Sequence, residues 1–421
     1  MIGVNLERGV DEISSSRALR AYGVALGCAN LLTVYYWTHN FPMRFILTDR
    51  EDPLCWPFAA NCAPLHFSNQ SGPTALLWLF GGLAAVSAIL FAVRSKSIRW
   101  ACGALAACEA LKLGVLLVDY RMLQPQHYMM LFASFAFLFL PAKEKTIKIL
   151  LVLIYFWAGI LKCNSDWLAG SLLDQWVVLR DWLPVWCVLA VALESGVAWL
   201  LLSSRGVLFW PALALVVFFH ALSWQIVSYY YPLLMGCLIS IFPLSRLFSA
   251  DAPPSAAPPG RRLPAASFGW LAFFCALQAV PYLYPYDAAL RGGGRLFYGL
   301  WQFSALPECD GLLIVHKRDG TSRFVVLPGE RINVRLRCQP FVAWNKARNR
   351  CPRFRSDPDF VDFDLKLYSR RFGRRDWNLV VDAPRFCAET PKYRMFGLNR
   401  WIKKQGPGGG YRPDMLSSQS P

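Results

Sequence analysis

The sequence predicts an α-helical polytopic membrane protein of about nine transmembrane helices, followed by a C-terminal extracytoplasmic β-rich domain. Three observations carry this expectation. The chain of 421 residues is 55% hydrophobic and only 17% charged, with a mean hydropathy of +0.32; a dispersed soluble protein of that size needs more polar surface. Nearly all long uncharged runs fall before residue 285. Beyond it the pattern changes to short alternating runs broken by turn residues, the signature of strands.

Apolar runs near the roughly 20 residues that span a bilayer occur at 18–38, 73–93, 99–119, 128–141, 146–163, 182–202, 206–224, 226–244 and 267–284. Lys and Arg in short loops mark the cytoplasmic side. With the N-terminus inside, the inner segments hold 13 of them, from Arg8 to Arg262, and the outer loops hold Arg44, Arg50, Arg121 and Arg180. The expected organisation is therefore a cytoplasmic N-terminus at 1–17, a transmembrane domain at 18–284, an extracytoplasmic β-rich domain at 285–405 and a disordered tail at 406–421. Glu7, Arg8, Asp11, Glu12, Arg17 and Arg20 precede or open the first apolar run, which reads as a retained anchor rather than a cleaved signal.

Within the C-terminal part, GLLIVHKRDGTSRFVVL reads as a hairpin turning at Asp319 and Gly320. FDLKLYSRRF and WNLVV read as further strands. The Pro/Ala-rich stretch 250–264 reads as a flexible inner loop. From residue 285 onward there are 25 Lys plus Arg against 13 Asp plus Glu, so this part carries +12 of the formal +17. The basic residues are scattered among apolar ones such as Phe324, Val325, Leu365 and Leu367, which excludes a nucleic-acid signature and suits anionic lipid or an acidic peptide.

Six cysteines fall on the predicted oxidising face: Cys55, Cys62, Cys309, Cys338, Cys351 and Cys387. Their even number makes them disulfide candidates, with the pairing left open. CxxC spacing is absent and no HxxxH links His39, His66 and His316, so these histidines read as polar surface and no metal site is expected. Asn69, Gln70 and Ser71 form a glycosylation sequon. Trp37, Trp56, Trp167, Trp176, Trp182 and Trp186 read as outer-interface belt residues.

Ionisable groups inside apolar runs are costly and single themselves out. Glu109 and Lys112, three apart on one helix, are expected to form an ion pair. Glu194 has no cation near it in sequence and is expected to face an internal cavity. His127 opens the fourth run and Lys162 closes the fifth, so two antiparallel neighbours joined by a short loop would bring them to the same rim of the bundle. A buried lysine there could serve as a general base.

The stretch YFWAGILKCNSDWLAGSLL, residues 155–173, resembles the hallmark segment of the HTTM family, the membrane domain shared with vitamin K-dependent gamma-carboxylases. The positions that match are Tyr155, Phe156, Ala158, Gly159, Lys162, Asp166, Trp167 and Gly170. QHYMMLF around His127 resembles that family's Asn-His-Tyr helix start, with Gln126 in place of Asn. ALESGVAWLLL, with Glu194, resembles its acidic helix, and FFHAL, with His220, its Phe-His helix end. LYPYDAALRGGGRLFYGLW, residues 283–301, resembles the connection into the family's β domain.

What the resemblance implies is a quinol-coupled enzyme acting on a peptide at the outer membrane face. Lys162 would deprotonate vitamin K hydroquinone or a related menaquinol, and His127 would stabilise developing charge. Oxygen would then be consumed, a glutamate γ-proton abstracted and CO2 captured. Asp166, Trp167, Glu194, His220 and Tyr155 would contribute to the quinone or substrate pocket. The implied cofactors are the quinol with O2 and CO2 and no metal; the implied partners are the lipid bilayer and a secreted or translocated peptide, with no nucleic acid. The competing expectation is a non-catalytic HTTM-type factor for peptide maturation or secretion.

Overall fold

The computed structural model describes residues 2–59, 61–93, 97–168, 170, 181–249, 262–279, 307–329, 336, 338–371, 377–394 and 399–403. The stretches 171–173 and 283–301, Trp176, the tail 406–421 and most of the Pro/Ala-rich stretch lie outside them.

Helix α1 (Ile2–Ser15) leads into α2 (Arg17–His39), which opens where Ser16 accepts a hydrogen bond from the Leu19 backbone N–H, satisfying one of the donors that a helix start leaves free. A short turn, α3 (Met43–Ile46), precedes α4 (Ser71–Ala92) and α5 (Ile98–Val118). Then come α6 (Pro125–Phe139), with proline in its first turn, and α7 (Lys143–Lys162). A single turn, α8 (Ser165–Leu168), is followed by α9 (Leu183–Ser195), continued by a 3-10 segment to Leu202, and α10 (Gly206–Val227). The series closes with α11 (Tyr230–Ile239), α12 (Ile241–Ser249) and α13 (Ala265–Ala279).

Five helices are long and apolar enough to cross a membrane: Ser71–Ala92, Ile98–Val118, Leu183–Leu202, Gly206–Val227 and Tyr230–Phe248. The expected count of about nine is not reached among the described residues. The other four apolar runs are helical, but α6 and α13 have only 15 residues each. Helix α7 carries Lys143, Lys145, Lys148 and Lys162, and α2 carries Arg17, Arg20, Asn30 and Thr33; such charges and polar groups lower the hydropathy of an otherwise sufficient length.

The C-terminal part contains a four-stranded antiparallel sheet in the order β2-β1-β3-β4, from β1 (Pro307–Lys317), β2 (Ser322–Leu327), β3 (Phe360–Arg371) and β4 (Asn378–Ala383). The β1–β2 hairpin pairs Leu313 with Val325 and His316 with Ser322, and Gly320 supplies the positive φ of 80° that its turn needs. The sequence expectation of strands holds for all four. It missed a helix, α14 (Pro340–Arg355), which packs against the sheet. The signal was present, since Trp344, Ala347 and Cys351 recur at helical spacing behind Pro340; Pro352, inside the helix, obscured it.

Three disulfides brace this end of the molecule: Cys55–Cys62, Cys309–Cys338 and Cys351–Cys387. The last ties α14 to the segment after β4. Asn345 of α14 donates to the Cys55 carbonyl at 2.8 Å, Asn349 donates to the Pro53 carbonyl at 2.9 Å, and Tyr120 donates to Gln339 at 3.1 Å. One apolar core runs from Trp37, Leu77, Phe80 and Val115 of the helices to Leu313, Phe363 and Val381 of the sheet. A second core fills the bundle between α2, α6, α7, α10 and α11.

His66 is not surface. It is buried and its Nε2 donates to Asp119 at 3.1 Å, an acceptor that also takes Arg121 Nε at 2.9 Å and Nη2 at 2.8 Å. His39 is exposed, and His316, more than a third exposed, pairs with Asp364 at 3.2 Å. Burial alone would raise the Asp119 carboxyl, but the Arg121 guanidinium and the bonds from His66 and Arg121 outweigh it and hold the group below its ordinary value. A depressed carboxylate stabilises the fold above the unfolded-state value, about 3.9, and loses that contribution as pH falls through the lower folded value. Unfolding monitored between pH 7 and pH 2.5 should therefore show an acid limb below about pH 4. Asp119→Asn should flatten that limb; an unchanged limb would remove Asp119 as its source.

Candidate functional site

Helices α7 and α9 approach closely at Gly159, where an added Cβ would stand 2.9 Å from the Ser195 backbone nitrogen. No larger residue fits there without pushing α9 away. One turn further along α7, Lys162 reaches the same helix, and its ammonium donates to the Glu194 carboxylate in a fully buried ion pair. Glu194, with no cation near it in sequence, therefore takes one from 32 residues earlier in the chain.

Trp167 of α8 covers the pair, its ring centroid 5.3 Å from Lys162 Nζ, within range of a cation–π contact. Its indole N–H donates to the Cys187 carbonyl at 3.2 Å, which fixes the ring against α9. Asp166 lies in the same turn, and its side chain is outside the described residues. Two turns before Lys162 on α7, the Tyr155 hydroxyl is 2.6 Å from His220 Nε2 of α10. Tyr231 stacks edge-on against His220 with centroids 5.5 Å apart. Lys162, Glu194, Trp167, Tyr155 and His220 thus share one wall formed by α7, α8, α9 and α10.

This wall borders a cavity of about 410 Å3, lined by Lys162, Trp167, Trp186, Leu193, Phe219 and Ser223 among others. Of the described lining residues Lys162 is the one that ionises; the Ser223 hydroxyl is already donated to the His220 carbonyl at 2.8 Å. The volume falls in the range of small-molecule pockets, about 300–1,000 Å3. The same helices expose Trp186, Leu189, Leu215 and Phe218. In a bilayer such a mouth faces acyl chains.

His127 sits in other surroundings. Its ring lies 5.2 Å from Trp37 and 6.3 Å from Tyr230, and neither nitrogen has a hydrogen-bond partner among the described residues. It is therefore not hydrogen-bonded to Lys162. Nearby, Glu109 and Lys112 form the expected ion pair at 2.8 Å. Glu109 also accepts from Asn30 at 2.9 Å and from Ser134 at 2.8 Å, partners that sequence spacing could not point to because they come from α2 and α6.

The tryptophans divide. Trp182 and Trp186 are exposed, as belt residues are, but Trp37, Trp56 and Trp167 are buried and have structural contacts. The Asn69 sequon is exposed. No metal-binding group of histidine, cysteine or carboxylate side chains occurs among the described residues. The chain matches no family model, no curated protein and no solved structure.

Proposed function

We propose that the chain is a vitamin K-dependent gamma-carboxylase-like membrane enzyme that couples quinol oxidation to carboxylation of glutamate in a peptide at the outer membrane face. In this reading the N-terminus is cytoplasmic, the chain crosses the bilayer about nine times and the sheet stands outside. The observation that carries it is that Lys162, buried and paired with Glu194, lines a cavity whose other lining residues are almost all apolar. A lipophilic quinol offers what this cavity can take: an apolar body and phenolic hydroxyls, one of which can meet the one basic side chain.

Lys162 and Glu194 share a proton. Moving it from the amine to the carboxylate annihilates two buried charges, so a dry site does not oppose the step as it would oppose forming an isolated ion. The neutral amine left behind is a general base, held by Trp167 and its helix within reach of a hydroxyl in the cavity. Water is kept away by Leu193, Phe219 and Trp186, which strengthens every interaction inside. Tyr155 and His220 form the next proton-bearing pair along the wall. When bound, the hydroquinone supplies the oxidation by O2 that drives CO2 onto glutamate.

Lys162→Ala in purified full-length protein should lower hydroquinone-dependent epoxide formation by about 10²–10⁴-fold, the usual contribution of a general base. Unchanged turnover would sink the assignment.

A further inference from the structure

At the end of the bundle away from the sheet, the start of α7, the segment 203–204 and α12 surround a cavity of about 710 Å3. Its wall holds Lys145, Lys148 and Arg246 against Glu12 and Glu144, three cations to two carboxylates. Its floor is apolar, with Phe209 and Leu201 buried beneath it.

Both carboxylates are engaged. Glu144 accepts from Lys148 at 2.7 Å. Glu12 caps α7 by accepting the Lys143 backbone N–H at 2.7 Å, and burial pushes its carboxyl above the ordinary value. Arg246 is held by two contacts: one Nη2 bond to the Ser203 carbonyl, and its guanidinium 4.8 Å over the Phe209 ring. Among the described residues those contacts leave Nε and Nη1 without an acceptor. A guanidinium fixed on an aromatic face with free edge donors is oriented for a tetrahedral oxyanion. Lys145 and Lys148 approach from one side of α7, three residues apart.

We propose that this cavity binds a phosphate group, carried either by an anionic phospholipid headgroup or by a soluble phosphate. The cationic rim would hold the anion, and the apolar floor of Phe209 and Leu201 would accept the first carbons of an acyl ester. From Lys145 to Lys162 the α7 axis runs about 26 Å. The site is therefore remote from the Lys162 cavity and stands independently of the chemistry proposed there.

The test uses full-length protein in detergent, titrated with phosphatidylglycerol, phosphatidylcholine or inorganic phosphate and followed by thermal unfolding and native mass spectrometry. Saturable stabilisation by phosphatidylglycerol, with no response to millimolar phosphate, would assign the headgroup; a response to inorganic phosphate would assign a soluble ligand. Lys145→Gln with Lys148→Gln should weaken that binding by about 25-fold, about fivefold for each cation near an anionic group. Arg246→Gln should do at least as much, and the lysine pair, at the cavity rim, serves where loss of the Ser203 bond disturbs folding. The proposal is overturned if wild type responds to neither probe. It is equally overturned if phosphatidylcholine matches phosphatidylglycerol, or if the lysine variant, folded as wild type, keeps the wild-type affinity.

Discussion

Lys162→Met is expected to destabilise the helix bundle by about 3–5 kcal/mol, because it strands the buried Glu194 carboxylate with no other cation at its oxygen among the described residues. The double variant Lys162→Met with Glu194→Leu should recover most of that loss, since an apolar pair of similar volume costs little where the ion pair was itself expensive to desolvate. Denaturant-driven unfolding of the purified protein in mixed micelles would measure both. A double variant no more stable than the single one would show that the pair is not coupled as described. The comparison also separates folding from the chemistry proposed: a stable double variant that makes no epoxide would have lost the Lys162–Glu194 proton pair and not the fold.

Opening Cys351–Cys387 by serine substitution should cost about 4 kcal/mol, and opening Cys55–Cys62 about 2 kcal/mol, from the chain entropy regained by loops of those lengths. The sequence separations of 36 and 7 residues set the ranking, with Cys309–Cys338, at 29, close behind the first. The largest loss also frees the α14 end from the segment after β4, so limited proteolysis should cut first around Phe386 in that variant. Equal melting shifts for all three would contradict the loop-length ordering.

What the sequence could show was set by distance along the chain. The β1–β2 hairpin was legible because Asp319 and Gly320 announce a turn and the alternation on either side is local. The Glu109–Lys112 pair was legible for the same reason, one helical turn apart. The Lys162–Glu194 pair was not, since 32 residues and a helix reversal separate its members, and each looked like a lone charge. His66 was misjudged because its acceptor, Asp119, arrives from 53 residues away. Six cysteines in an even set promised disulfides, but which partners meet shows only in the folded chain, where Cys351 of α14 reaches Cys387 across 36 residues and Cys309 of β1 reaches Cys338 across 29. Counting apolar runs gave nine where five described helices are long and apolar enough to cross, because a run such as 128–141 reads the same whether its helix is 15 residues or 20.

The core that runs without a break from Trp37 and Phe80 into Leu313 and Phe363 means the sheet-bearing C-terminal part is not a detachable module. Excised at residue 307, it would present a bare apolar sole where Phe341 now meets Tyr120 with ring centroids 5.1 Å apart, and such a surface aggregates in water. The same welding makes the sheet a lever: a displacement there is passed to α2, α4 and α5, of which α4 and α5 are long and apolar enough to cross a membrane.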